Sequence, residues 1–273
     1  MKVFPLKLRD NSWHHIRGLQ LDDEYQTTMD ELHQLIRHSL SFASFVNAFY
    51  DQELRNQGKS EWAEKTPANN MNIGLFLDSF ENARFIHICR NPYDTVASLV
   101  NRGKTVFDAS ANYLINTVNG LEYVDHPRVY TIRYEDIVNE TEKSIIKLMH
   151  FLGLEFEPGQ LVPDGEEKGI VKMEGWQYSE TSTVGSASTN RFERMPDQLQ
   201  KLILSALGRL QLKNFTGCNN IKDICDAMSY EYLPYDNSET IKQGLKQQMR
   251  KSIIQKTLNL HYYNLFNVPL KIN

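Results

Sequence analysis

The chain has 273 residues, 41% of them hydrophobic and 11% aromatic, enough for one substantial core and outside the range of disordered or collagen-like polypeptides. With 30 Lys and Arg against 34 Asp and Glu the net charge is −4, so wholesale binding to nucleic acid is not expected, although local basic sites stay open. No run of about 18 apolar residues occurs, the first residues are too interrupted for a signal-peptide core, and Cys89, Cys218 and Cys225 suit a reducing compartment; the default expectation is a cytoplasmic protein without a transmembrane segment.

Up to Glu24 the pattern is unperiodic. From Thr28 it becomes helical: Thr28 and Glu31 form a capping-box pair, and Met29, Leu32, Ile36, Leu40, Phe45 and Phe49 recur at helical steps, as one long helix or as two with a break near Ser39–Ser41. Gly58-Lys59-Ser60 has the ending of a phosphate loop, but Glu53 stands where that motif needs its first glycine, and a helix rather than a strand precedes it. Glu61 to Pro67 is predicted to be a short strand ended by the proline, and Asn70 to Phe80 a helix with Ile73, Leu77 and Phe80 on one face.

Arg84-Phe85-Ile86-His87-Ile88-Cys89-Arg90 is a short, mostly apolar run that predicts a buried strand. Asn91-Pro92-Tyr93-Asp94 then starts a helix: Asn91 suits the N-cap, Pro92 the first helical position, and Asp94 the positive end of the macrodipole. A strand that ends on Arg90 and feeds a helix is a place to hold an anion, by unpaired backbone N–H groups, the dipole and a guanidinium. Ser98, four residues beyond Asp94, shares its helix face and adds a hydroxyl. Taken alone, the same junction is equally compatible with a surface ion pair at Arg90 and a packing role for Ser98.

Asp108 is predicted to cap a helix bearing Tyr113, Leu114, Val118, Leu121 and Val124, which Pro127 ends. Val129 to Ile132 reads as a second strand, followed by Arg133-Tyr134-Glu135-Asp136. Thr141 is predicted to cap the next helix, stopped by Gly153 and Pro158. Pro158 to Ser188 is a long aperiodic stretch, and Pro196 to Leu210 returns to helix. Strands alternating with helices predict an α/β domain over residues 1–235, three-layered, with a mostly parallel sheet between helices. Residues 236–273 are predicted to be a basic amphipathic extension, with Ile241, Leu245, Met249 and Ile253 as its stripe. Its charged face is either simply solvated or offered to an acidic partner or an anionic membrane. No spacing of His or Cys suits a metal, so none is expected.

Three motifs follow one another: Trp62-x-Glu64-Lys65-Thr66-Pro67, then Phe85-x-His87-Ile88-x-Arg90-Asn91-Pro92-x-Asp94-x-Val96-x-Ser98, then Arg133-Tyr134-Glu135-Asp136. In this order they resemble the sulfotransferases that use 3′-phosphoadenosine 5′-phosphosulfate, in particular the group of bacterial and tyrosyl-protein enzymes with a P-loop-like fold. Phe151-Leu152-Gly153-Leu154 and Ser188-Thr189-Asn190-Arg191-Phe192 extend the resemblance, which covers roughly Trp62 to Tyr232.

The resemblance implies transfer of a sulfuryl group to a hydroxyl or amine of a small molecule, glycan or peptide. It gives Arg90 and Ser98 to the 3′-phosphate, Tyr134 to adenine, and Asn190 and Arg191 to a segment that closes over the nucleotide. Lys65 falls at the bridging oxygen, where negative charge builds as the sulfuryl group departs. Some members place a general base where this chain has Pro67, which leaves Glu64 as a candidate carboxylate. Lys65 and Tyr134 also fit bland roles, as a surface lysine and a core tyrosine. The family's opening strand and its glycine- and serine-containing 5′-phosphosulfate loop are not found before Trp62. The expectation is therefore either a sulfotransferase or a non-catalytic binding protein that keeps the 3′-phosphate half of the site.

Overall fold

The computed structural model describes residues 27–65, 67–161, 189–255 apart from 214 and 216, and 266–267. These fall into two compact units, one of residues 27–65 and 78–81, the other of the remainder. No helix among the described residues is long and apolar enough to cross a membrane.

The first unit is built on two helices, α1 (Met29–His38) and α2 (Phe42–Gln57). The capping box of α1 is formed as its sequence implies: Thr28 N donates to Glu31 at 2.8 Å, and Glu31 N to Thr28 Oγ1 at 3.3 Å. The break falls at Ser39–Ser41 because Ser41 starts a second box with Ser44, whose N–H reaches Ser41 Oγ at 3.0 Å. Gly58 closes α2 with φ of 62°, a left-handed conformation that glycine adopts without a Cβ penalty. The Gly-Lys-Ser triplet thus ends a helix.

Residues 61–65 form no strand, contrary to the pattern. Trp62 is their one large apolar side chain, and it stacks on Tyr50 at 5.0 Å and meets Phe80 edge-on at 5.5 Å instead of alternating into a sheet. Pro67 opens a 3₁₀ helix (Pro67–Asn72) that leads into α3 (Ile73–Ser79).

In the second unit the sheet is a parallel pair, β1 (Phe85–Cys89) and β2 (Val129–Arg133). Between them run α4 (Pro92–Asn101) and α5 (Val106–Leu121). After β2 come α6 (Tyr134–Asn139), α7 (Thr141–Leu152), α8 (Asp197–Arg209), α9 (Ile221–Met228) and α10 (Glu239–Gln255). Two short strands, β3 (Gln211–Leu212) and β4 (Phe266–Asn267), pair antiparallel. The fold is α/β. Its parallel sheet is smaller than the alternation of elements implies: among the described residues β1 is bonded to β2 alone. One consequence is that β1 is not buried on both faces, for Ile88 is 55% exposed while His87 and Cys89 face inward.

Helix α5 is buried nearly all round, which marks the centre of the core. Its cap is Thr105, whose Oγ1 accepts from Asp108 N at 3.1 Å; Asp108, expected in that role, is the third residue of the helix, and its carboxylate accepts from the Thr105 hydroxyl at 2.9 Å. Likewise Glu140 rather than Thr141 occupies the N-cap of α7, which ends at Gly153 as expected. Ile241, Leu245 and Met249 of α10 are buried in the same core as Leu202, Ile203 and Leu207 of α8.

Within the second unit the packing around His87 is close. The imidazole is 1% exposed, lies 3.4 Å from Thr131 on the neighbouring strand, and rests on the backbone of Gly120. A Cβ at Gly120 would overlap Nδ1, Cε1 and Nε2 of that ring. Gly120→Ala is therefore expected to lower stability by about 1–3 kcal/mol, the usual cost of overpacking, read as a drop in denaturation midpoint with an unchanged denaturant slope.

Burial also pulls the His87 pKa from 6.5 down to about 4. As pH falls below 6.5 the unfolded chain takes up a proton that the folded chain refuses, so stability is lost on acidification. The expected loss from this group is about 2 kcal/mol between about pH 7 and pH 5, and His87→Gln should remove that part of the slope.

Candidate functional site

The parallel register pairs Phe85 with Val129 and so on to Cys89 with Arg133, one residue for one. The next residues, Arg90 and Tyr134, therefore leave the sheet side by side at the carboxyl ends of the strands, where open α/β sheets bind ligands. The Arg90 guanidinium lies over the Tyr134 ring, 5.0 Å from its centroid. Both side chains are half-buried. Arg90 is placed by its backbone: Tyr113 of α5 donates its hydroxyl to the Arg90 carbonyl at 2.9 Å.

Helix α4 begins at once. Asn91 caps it as expected, its side-chain oxygen accepting from Tyr93 N at 3.0 Å and Asp94 N at 3.1 Å. The remaining donor of this turn, Asn91 N, is taken by Glu135 Oε1 at 2.9 Å, and Pro92 has none to give. This corrects one sequence-based expectation: these backbone N–H groups are already satisfied within the protein. An anion at this junction would be held by side chains.

Those side chains converge from two directions. Asp94 and Ser98, one turn apart and on one face of α4 as their spacing implied, both bond to residues 190–192. Ser98 Oγ accepts from Arg191 Nη1 at 3.0 Å. Asp94, 6% exposed, accepts from Asn190 N at 2.8 Å and from Phe192 N at 2.9 Å. Burial is the main cause lowering the Arg90 pKa; Asp94 and then Tyr134 oppose it, and the charge of Arg191 adds to the lowering. Two guanidinium groups, a hydroxyl and an aromatic face thus share one half-buried place. Their neighbouring carboxylates, Asp94 and Glu135, already accept backbone bonds. An anion with several acceptor oxygens suits such a set of side chains.

Glu64 and Lys65, the two residues expected to act in catalysis, lie exposed in an irregular stretch of the first unit. Arg90, Ser98, Tyr134, Asn190 and Arg191 all belong to the second, which brings them together across more than ninety residues of sequence, as in the bond between Arg191 and Ser98.

Comparison with known proteins supplies the family. A family model described as "Sulfotransferase family" matches residues 3–158, more than half of the chain. The chain belongs to the sulfotransferase family. The match begins well before Trp62, the first motif legible in the sequence, and ends before Asn190 and Arg191, whose place beside Ser98 is a finding of the structure.

Two mycobacterial sulfotransferases, from Mycobacterium bovis and Mycobacterium tuberculosis, each named omega-hydroxy-beta-dihydromenaquinone-9 sulfotransferase Stf3, are 31% identical over 108 residues, 33% of this chain. Cytosolic sulfotransferase 14 of Arabidopsis thaliana is 27% identical over 133 residues, 40% of this chain. The matched stretches span 28% of the mycobacterial proteins and 37% of the plant one. Among solved structures, the sulfotransferase domain from the curacin biosynthetic pathway aligns over 85% of this chain and 77% of its own, at 18% identity and a TM-score of 0.41.

Several residues of the site carry no assigned role in the sequence. Glu135 accepts from both Asn91 N and, at 2.8 Å, the hydroxyl of Tyr230, and so ties the end of β2 to the start of α4. Glu135 stood inside a recognised motif, but nothing local says what it bonds. Tyr230 gave no signal at all, since its ring is placed by the Arg133 guanidinium, 4.7 Å away, and by the strand ends. Asp94 was legible as a first-turn acid; its two long-range acceptor bonds were not.

Proposed function

We propose that this sulfotransferase takes 3′-phosphoadenosine 5′-phosphosulfate as its donor and passes the sulfuryl group to a hydroxyl or amine of a small-molecule, glycan or peptide acceptor. The observation that carries the reading is the convergence of Arg90, Ser98 and Arg191 beside the Tyr134 ring at the carboxyl ends of β1 and β2. A ribose-linked phosphate offers the acceptor oxygens that two guanidinium groups and a hydroxyl would grip, and an attached adenine offers a flat face for Tyr134.

The phosphosulfate donor supplies an activated sulfuryl group for in-line displacement. The roles left to the chain are two. The motif these residues share with the family gives Lys65 the departing oxygen, on which charge accumulates, and leaves Glu64 as the candidate to take the acceptor's proton. Neither role requires a metal ion.

Calorimetry tests the donor assignment directly. Adenosine 3′,5′-bisphosphate, the nucleotide that remains after transfer, should bind more tightly than adenosine 5′-monophosphate, which lacks the 3′-phosphate. Equal affinities, or no heat with either, would sink the donor assignment.

A further inference from the structure

Arg191 owes its position to its two neighbours. Asn190 N and Phe192 N both donate to the one carboxylate of Asp94, so the residue between them is pinned from both sides. Asn190 is held at φ of 59°, a left-handed conformation that costs a non-glycine residue, though asparagine less than most. Phe192 is buried and its ring meets that of Tyr93 at 5.4 Å, which fixes the far side of the segment. With its flanks fastened, Arg191 sends its guanidinium to Ser98 at 3.0 Å.

We propose that Asp94 is a positioning residue: by clamping the backbone on either side of Arg191 it holds that guanidinium in the anion site before any anion arrives. The inference rests on the reading of Arg90 and Ser98 as 3′-phosphate ligands and adds to it a residue that does not itself touch the phosphate.

The sign of one substitution separates this role from a purely electrostatic one. Asp94 carries a negative charge beside an anion site, so by Coulomb's law alone its removal should tighten anion binding. Positioning predicts the opposite. In Asp94→Asn the side chain keeps its size but only one acceptor oxygen; its amide N–H₂ would face a backbone N–H, releasing one flank of Arg191.

The test is the ratio of affinities for adenosine 3′,5′-bisphosphate and adenosine 5′-monophosphate, measured by calorimetry on the full chain. Asp94→Asn is expected to lower that ratio by about tenfold or more, Arg191→Ala to lower it equally, and the double variant to lose little beyond either single one. A ratio that is unchanged or raised in Asp94→Asn overturns the proposal. So does an unchanged ratio in Arg191→Ala, a variant that leaves the Asp94 clamp intact and keeps the question open to answer if Asp94→Asn fails to fold. Arg90→Ala tells the two levels apart. If the preference for the bisphosphate disappears in Arg90→Ala yet persists in Asp94→Asn, the Asp94 assignment alone is lost. A native protein with no such preference, or one that keeps it in Arg90→Ala, takes down the site reading and this inference with it.

Discussion

Arg90→Ala is expected to weaken binding of adenosine 3′,5′-bisphosphate by about two to three powers of ten. A guanidinium can make two parallel charge-assisted bonds to a phosphate, each contributing about 1.5–3 kcal/mol, and every 1.4 kcal/mol is about tenfold in affinity. The fold should tolerate the change. The strand–helix junction is held through backbone groups, the Arg90 carbonyl by Tyr113 and Asn91 N by Glu135, and alanine leaves both in place. The side chain also gives up its contact with the Tyr134 ring, which costs about 1 kcal/mol. Calorimetry together with a thermal melt distinguishes the outcomes. An unchanged dissociation constant, or an equal loss for adenosine 5′-monophosphate, would remove Arg90 from the 3′-phosphate.

The second large effect is expected at Lys65. Its alanine variant should turn over about a hundredfold or more slowly, measured as release of adenosine 3′,5′-bisphosphate from the donor, because stabilisation of a developing charge is realised in the transition state and not in the ground state. Affinity for the product nucleotide should change little by comparison. Lys65 is exposed, so its replacement carries no cavity or packing cost, and a lost rate cannot be charged to lost structure. Lys65→Arg, which keeps the charge but not the geometry, should recover part of the rate. Normal turnover in Lys65→Ala would take this residue out of the mechanism.

Membership of the sulfotransferase family and the arrangement of the candidate site rest on different observations. The family match lies within residues 3–158, whereas Arg191 and Asn190 come from beyond it. The segment is held by Asp94, inside the matched stretch, which accepts from the backbone N–H groups of Asn190 and Phe192 on either side of Arg191. The half-site is thus assembled by one carboxylate from two parts of the chain that share no local pattern.

What the sequence determines by itself is what neighbouring residues settle among themselves. The capping box at Thr28, the asparagine cap before Pro92, the left-handed glycines after α2 and α7, and the two β-rich runs are all decided within a few residues, and all are formed. The adjacency of Asp94 and Ser98 on one helix face belongs to the same class. The cap of α5, read from the sequence as Asp108, is Thr105, and that choice turns on geometry that letters do not carry.

Tertiary structure alone decided the rest. A strand needs a partner to satisfy its N–H and C=O groups, so Glu61 to Lys65 stays irregular while Trp62 stacks on Tyr50. A helix N-terminus looks like an anion site until its last donor is known to be taken, as Asn91 N is here by the distant Glu135. And the register that sets Arg90 against Tyr134, like the clamp that brings Arg191 to Ser98, exists only once hydrogen bonds join residues far apart in the chain, because their energies depend on distances in space and not on spacing in sequence.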